Sequence, residues 1–272
     1  MQKFSYHMHT NTFDAFDGRN SAQEMIAKAI EVGYEKMGFS NHLAFHPNMP
    51  QQSKMFFSDY NKAVDLYKRV VEEIRTVSLN FKVDVKVGFE VDFFSSSRWR
   101  KLFEKIQKEI KADYYIGATH YLRNESESYI MSLYYLQKNP QIKINEDDLT
   151  LYLNLYWDNI IESIKSGYFN FIAHLDVCKL FGFCLEESWN DRKWEVIETL
   201  AKYKQPFELN TSGWTKVGEQ HPQDWVITEL NKRDVPVIIS DDAHSVDMIA
   251  QHFERAESLL KSMNYKNRYI PF

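Results

Sequence analysis

The sequence predicts an α/β fold in which parallel strands close into a barrel, and three observations lead there. Short apolar strands alternate with helix-periodic segments seven times along the chain. Polar residues able to bind metal or donate hydrogen bonds follow each strand, always at the same end. The 272 residues, 44% of them hydrophobic, suffice to bury one sizeable core, so a single domain spanning residues 1–272 is expected.

Lys3–His7 reads as the first strand. Ser21-Ala-Gln-Glu24 then has the form of a capping box, opening an amphipathic helix that closes near Gly33. Lys36–Ser40, Val83–Phe89, Tyr114–Thr119, Phe169–Ala173, Phe207–Leu209 and Val235–Ile239 read as further strands, each followed by a helix-periodic or loop-plus-helix segment. Such alternation implies parallel strands with right-handed crossovers, arranged as an open doubly wound sheet or a closed barrel. Periodicity does not separate the two, but the residues beyond the strands favour the barrel. His7 and His9, Asn41 and His42, Glu90, His120, His174, Asn210, then Asp242 and His244 occupy those positions. A closed barrel brings the carboxyl ends of its strands onto one rim, whereas an open sheet spreads them along an edge.

Composition removes several classes of function. A net charge of −5 with acids and bases interspersed gives no basic stripe to track a phosphate backbone, so nucleic acid is a poor partner. Residues 1–7 lack the apolar core of a signal peptide, and no run of about 18 apolar residues could span a bilayer, so the chain reads as cytoplasmic, with no membrane partner. Cys178 and Cys184 match no common zinc or redox spacing and read as packing residues. No internal repeat or flexible linker is visible.

The strand ends carry the chemistry. Imidazoles and carboxylates suit zinc, manganese or iron, and His7-Met-His9 can aim two rings the same way because side chains alternate along a strand. Any one of these histidines is more readily a surface or hydrogen-bonded core residue. Six of the nine, however, fall at strand carboxyl ends, and the case rests on that convergence. Asp242-Ala-His244 adds a carboxylate and an imidazole at the last strand end. Glu90 follows apolar Val87-Gly-Phe89, where a lone carboxylate is costly to bury and a bridge between two metals would satisfy it. Asp14 or Asp17 could complete a site from the first loop; Asp17 is favoured because Gly18 lets the loop turn tightly. His46 and His221, each before a proline, read as loop or substrate-pocket residues, and His252 as an exposed or capping residue inside the last helix.

Taken in order, His7-Met-His9-Thr10, Gly38-Phe-Ser-Asn-His42, Gly88-Phe-Glu90, Gly117-Ala-Thr-His120, Ala173-His174-Leu-Asp176, Glu208-Leu-Asn210-Thr-Ser-Gly213 and Ser240-Asp-Asp242-Ala-His244 form a specific series. They resemble the PHP (polymerase and histidinol phosphatase) superfamily over nearly the whole chain, and within it the histidinol-phosphate phosphatases. The resemblance implies a distorted (β/α)7, TIM-like barrel with three divalent metal ions. His7, His9, Glu90 and Asp242 would hold one ion, Glu90, His120 and His174 a second, and Asp17, His42 and His244 the third. It also implies a phosphomonoesterase that hydrolyses L-histidinol phosphate in histidine biosynthesis. This sequence departs from the family at Asn41, where an acid is usual before His42, and after Gly213, where Lys216 stands in a loop that often carries an arginine.

The expected nucleophile is a hydroxide bridging two ions, since the rim carboxylates and imidazoles are committed to metal and the cysteines lie in no phosphate-cradling loop. Turnover would then invert configuration at phosphorus. Lys216, Arg123 or Lys179 could meet the phosphate, and Asp17 or His244 could protonate the leaving alkoxide. The competing readings are an esterase for another small phosphate ester and a metal-binding module without turnover.

Overall fold

The structure is a computed structural model that describes residues 1–49, 55–123, 130–133 and 145–272. Its frame is a ring of seven parallel strands: β1 (Phe4–Ser5), β2 (Lys36–Phe39), β5 (Asp84–Asp92), β6 (Tyr114–Ala118), β9 (Phe171–Ile172), β10 (Phe207–Asn210) and β11 (Val237–Ser240). Each pairs with the next in chain order, with no point at which the order reverses. A sheet wound in one direction meets its own start, and here β11 returns to β1. Just past the strand ends, Met8 and Ala243 form a parallel bridge, His9 N donating to Ala243 O at 2.8 Å. At the other end of the seam the Gln2 side chain replaces missing backbone bonds, its amide donating to Ile239 O at 2.6 Å and accepting from Ile239 N at 3.3 Å. The expected barrel is therefore present, nearly closed.

After Ser40 the second strand does not simply end. The chain resumes as β3 (His42–Phe45) beside β5, with His42 level with Glu90, and β3 also pairs with β4 (Phe56–Phe57). A further departure from the simple alternation is an antiparallel pair, β7 (Tyr121–Arg123) with β8 (Ile130–Ser132).

Helices surround the ring, and their starts follow ordinary capping chemistry. Ser21 opens α1 (Ala22–Glu31) with the expected capping box: its hydroxyl accepts from Glu24 N while Glu24 Oε2 accepts from Ser21 N. Gly33, at φ +88, ends the helix, and a glycine suits that left-handed position. Asp59, Ser96 and Asn145 cap α2 (Tyr60–Ser78), α3 (Ser97–Ile110) and α4 (Glu146–Ser166). α5 (Asn190–Tyr203), α7 (Asp224–Lys232) and α8 (Phe253–Ser262) continue the outer layer, while the short α6 (Ser212–Lys216) sits at the carboxyl rim, where Ser212 Oγ donates to Asp242 Oδ2 at 3.0 Å. No described helix is long and apolar enough to cross a membrane.

Strand alternation sorts the side chains. Phe89 and Val91, Phe207 and Leu209, and Val237 and Ile239 point outward into the main core beneath the helices. Tyr6, Tyr114, Ile116, Phe171 and Ile238 fill the lower interior of the ring as a second, smaller cluster. Tyr114 lies across Gly38 and Gly88, and its hydroxyl donates to Tyr6 O at 2.8 Å and Phe39 O at 2.9 Å. Above this packed lower barrel, the inward positions at the carboxyl ends of the strands are polar.

Candidate metal centre

At that rim the predicted residues meet. His7 and His9 flank outward-facing Met8 and turn both rings inward. His7 Nδ1 donates to Glu208 Oε1 at 2.6 Å, which leaves Nε2 facing the centre, 3.4 Å from Glu90 Oε2 and 3.5 Å from Asp242 Oδ1. The His9 ring stacks on His244 at 4.1 Å between centroids, with Nε2 3.4 Å from Asp242 Oδ1 and Nδ1 3.6 Å from Asp17 Oδ1.

Glu90, only 1% exposed, presents its two oxygens to different partners. Oε1 lies 2.8 Å from His174 Nε2 and 3.6 Å from His120 Nε2. Oε2 lies 3.1 Å from His42 Nδ1, 3.4 Å from His7 Nε2 and 3.6 Å from His9 Nε2. Asp17 reaches across from the first loop, its Oδ2 3.3 Å from His42 Nε2 and 3.2 Å from His244 Nε2. Four overlapping groups result: His9, Asp17, His42 and His244; His7, Glu90 and His174; His7, His9 and Asp242; His42, Glu90 and His120. All nine expected ligands belong to at least one, though His7, His9 and His42 are shared more widely than three separate ligand sets would require. Asp14 belongs to none.

The electrostatics are those of a site built for cations. Burial opposes the Glu90 carboxylate, yet the surrounding His42, His7 and His120 hold it well below the usual range. Asp17 and Asp242 are likewise depressed against burial, Asp17 by His42 and His244, Asp242 by Lys216 and His7. Burial also opposes the His42 imidazolium, but Asp17 and Glu90 lift it to about 10. His9 behaves oppositely: burial and the neighbouring His244 push it down to about 3, keeping it neutral with a lone pair available. His7 Nε2, His174 Nδ1 and both nitrogens of His9 are buried without a hydrogen-bond partner among the described residues. Buried polar atoms are normally satisfied, so this concentration of orphans is itself a signal. Mixed imidazole and carboxylate donors facing one another fit first-row divalent ions.

Several supporting residues carried no assignment from sequence. Glu208 is fully buried; beyond His7 it accepts from His174 N at 2.8 Å and Asn210 Nδ2 at 3.0 Å. Asp92 accepts from His120 N at 2.7 Å and stands 3.2 Å from its Nδ1. Both carboxylates sit two residues from another inward polar residue, Asn210 and Glu90, and that period of two was the available signal. Asn41, where the family usually has an acid, joins the first two motifs: its Oδ1 accepts from Thr10 N at 2.7 Å and its Nδ2 donates to Thr10 Oγ1 at 2.9 Å. Gly18 is required for a reason other than a tight turn. A Cβ there would lie 2.4–2.6 Å from the Thr10 backbone, so the Asp17 loop packs directly on the His-Met-His strand end. Asp242 adopts φ +48, a costly backbone for a non-glycine residue of the kind held at functional sites.

Of the three bases considered for phosphate, Lys216 lines the cavity above the cluster, its Nζ 3.0 Å from Asp242 Oδ2. Arg123 donates to Ser95 O and does not line the cavity. Lys179 is buried against Asp176 and Glu219, each at 3.1 Å, and is not among the residues that line the cavity. His46 and His221 lie in loops, as one of the two sequence readings has it, and neither lines the cavity. His46 is buried against Phe94, and His221 is buried with Nδ1 2.7 Å from Asp176. His252 precedes α8 rather than lying inside it, with Nε2 3.0 Å from Thr215 Oγ1. Cys178 and Cys184 are buried free thiols.

The cavity measures about 430 Å³. One side is the cluster; the other is largely apolar, formed by Phe56, Tyr121, Val177, Leu180 and Phe181. Such a space admits a small molecule with one highly charged end and one apolar end.

The sequence pattern of the PHP domain matches residues 5–212. A protein of Deinococcus radiodurans named probable histidinol-phosphatase is 25% identical over 255 residues, covering 92% of this chain and 89% of its own. The histidinol-phosphatase of Bacillus subtilis is 20% identical over 266 residues, covering 93% and 98%. Among solved structures, the histidinol phosphate phosphatase of Lactococcus lactis, in complex with zinc, L-histidinol and phosphate, superposes with a TM-score of 0.71 at 15% identity. That match covers 97% of this chain and 95% of the other, and is a likeness of fold.

Proposed function

This chain belongs to the PHP domain family and is a metal-dependent phosphoesterase, and from that premise we propose that it hydrolyses L-histidinol phosphate to L-histidinol and phosphate. The carrying observation is the two-sided cavity, in which clustered ligands face an apolar and aromatic wall. Relatives named histidinol-phosphatase, matched over most of both chains, support the same substrate. The chain acts as one domain in this reading, because Asp242 and His244 lie beyond residue 212 yet complete the cluster.

His7, His9, Asp17, His42, Glu90, His120, His174, Asp242 and His244 would hold three divalent ions; the zinc of the Lactococcus protein supports zinc over manganese or iron. Bound ions would neutralise phosphate oxygens and ionise water near neutral pH. The protein's own residues do the rest. Glu208 and Asp92 orient His7 and His120. Lys216 offers the phosphate a fixed ammonium, held charged against burial by Asp242. Asp17 and His244, 3.2 Å apart on the cavity side, border the place of the third ion, and whichever of the two is left off that ion would protonate the leaving alkoxide.

The test is a steady-state comparison of L-histidinol phosphate with glycerol phosphate and nucleoside monophosphates. A kcat/KM advantage of at least about 100-fold is expected, the effect of roughly two well-placed contacts. Equal or better turnover of glycerol phosphate would remove the histidinol assignment and leave the phosphoesterase class in place.

A further inference from the structure

The wall that faces the cluster is held by a buried ionic network no catalytic step uses. Val177, Leu180 and Phe181 reach the cavity from a single 3₁₀ turn, Val177–Phe181, directly after Asp176. The Asp176 carboxylate is 4% exposed and accepts from His221 Nδ1 at 2.7 Å and from Gln223 N at 3.0 Å, with Lys179 Nζ 3.1 Å away. Lys179, itself within the turn, also donates to Gln220 O and to Glu219 Oε2. The loop receiving these bonds is fastened to the barrel: His221 and Asn210 form an antiparallel bridge, with Asn210 N donating to His221 O at 2.8 Å and His221 N to Asn210 O at 3.1 Å. A continuous path therefore runs from β10 through His221 and Asp176 to the turn that presents the apolar wall.

We propose that Asp176 and His221 are positioning residues that set selectivity for the organic half of the ester, by fixing the Val177–Phe181 turn at its distance from the cluster. Two charged residues and an imidazole are costly to bury, and a hydrophobic contact would anchor the turn with less demand on geometry. What the network adds is directionality. Asp176 can satisfy His221, Gln223 and Lys179 together only when the turn sits in one place. A misplaced wall weakens binding of a bulky leaving group and leaves the phosphate end untouched. The inference rests on the reading that the ester's organic half enters this cavity.

The test compares Asp176→Asn and His221→Leu with the unmodified holoenzyme on three esters: L-histidinol phosphate, phenyl phosphate and methyl phosphate, the last too small to reach the wall. For both variants KM for the two bulky esters should rise about tenfold with kcat within about twofold, while KM for methyl phosphate and metal content stay at their original values. His221→Asn, whose amide nitrogen takes the place of Nδ1, should recover most of the lost affinity. Leu180→Ala, which alters the wall directly, should give the same split between esters. A parallel loss on all three esters, a fall in kcat alone, or no change with phenyl phosphate would each overturn the proposal. Should Asp176→Asn not fold, the two His221 variants decide the question. If histidinol phosphate proves no better than phenyl phosphate in the original enzyme, the substrate reading fails, and the phenyl and methyl arms still decide the role of the wall.

Discussion

Glu208 Oε1 lies 2.6 Å from His7 Nδ1, so a fully buried carboxylate fixes the proton of one imidazole and aims its other nitrogen at the cluster. Replacing Glu208 by Gln puts an amide where three donors converge, since His7, His174 N and Asn210 Nδ2 all point at this side chain. Metal affinity should fall about 10- to 100-fold, as is usual for such supporting carboxylates. A metal titration followed by calorimetry reads this directly, and affinity equal to that of the original protein would remove the orienting role.

Glu90 faces five imidazoles with two oxygens, whereas among the described residues His120 approaches two carboxylates, Glu90 and Asp92. Glu90→Gln should therefore lose more bound metal and more turnover than His120→Ala. Metal content per chain and kcat on a phosphate ester measure both; normal values in Glu90→Gln contradict a bridging carboxylate.

Gly18→Ala places a methyl group within 2.6 Å of the Thr10 backbone and must push the Asp17 loop outward. Overpacking of this kind costs about 1–3 kcal/mol, and a shift of about 1 Å at Asp17 should lower kcat on the order of 100-fold. Thermal melting and steady-state kinetics on the same preparation test it. Unchanged turnover would show that the loop does not carry a working residue.

Chelation should destabilise the fold as well as stop turnover. Asp17, Glu90 and Asp242 all lie within 3.6 Å of the His9 ring, and a ligand held at 100 times its dissociation constant stabilises the native state by about 2.7 kcal/mol. Removing it should lower Tm by roughly 5–10 °C for a chain of this size. Melting with and without chelator measures the shift, and identical curves would show that the cluster binds no ion at the concentrations used.

Much of this centre was legible in the chain because a parallel barrel has one functional end. The strand and the residues just past it lie side by side in sequence, so His7, His42, Glu90, His120, His174, Asp242 and His244 could be picked out by position alone. The residues that support them were harder to see. Asp241 and Asp242 are chemically alike and adjacent, yet alternation sends Asp242 to the cluster and Asp241 outward to Ser5 and Tyr34, at 2.7 and 2.8 Å. Burial raises Asp241 to about 6, so the two neighbours differ in charge behaviour as well as in direction.

The sequence by itself determined the alternation of strand and helix, the capping of α1, and which residue types gather at the strand ends, because these depend on local periodicity and on contacts a few residues apart. Tertiary structure alone decided the rest. It placed β3 so that His42 stands level with Glu90, closed the seam through Gln2, Met8 and Ala243, and turned Lys179 into the Asp176 network while leaving Lys216 at the cavity. Each of these outcomes joins residues distant in the chain, and their separation is set by the curvature and register of the barrel, quantities that no short window of sequence contains.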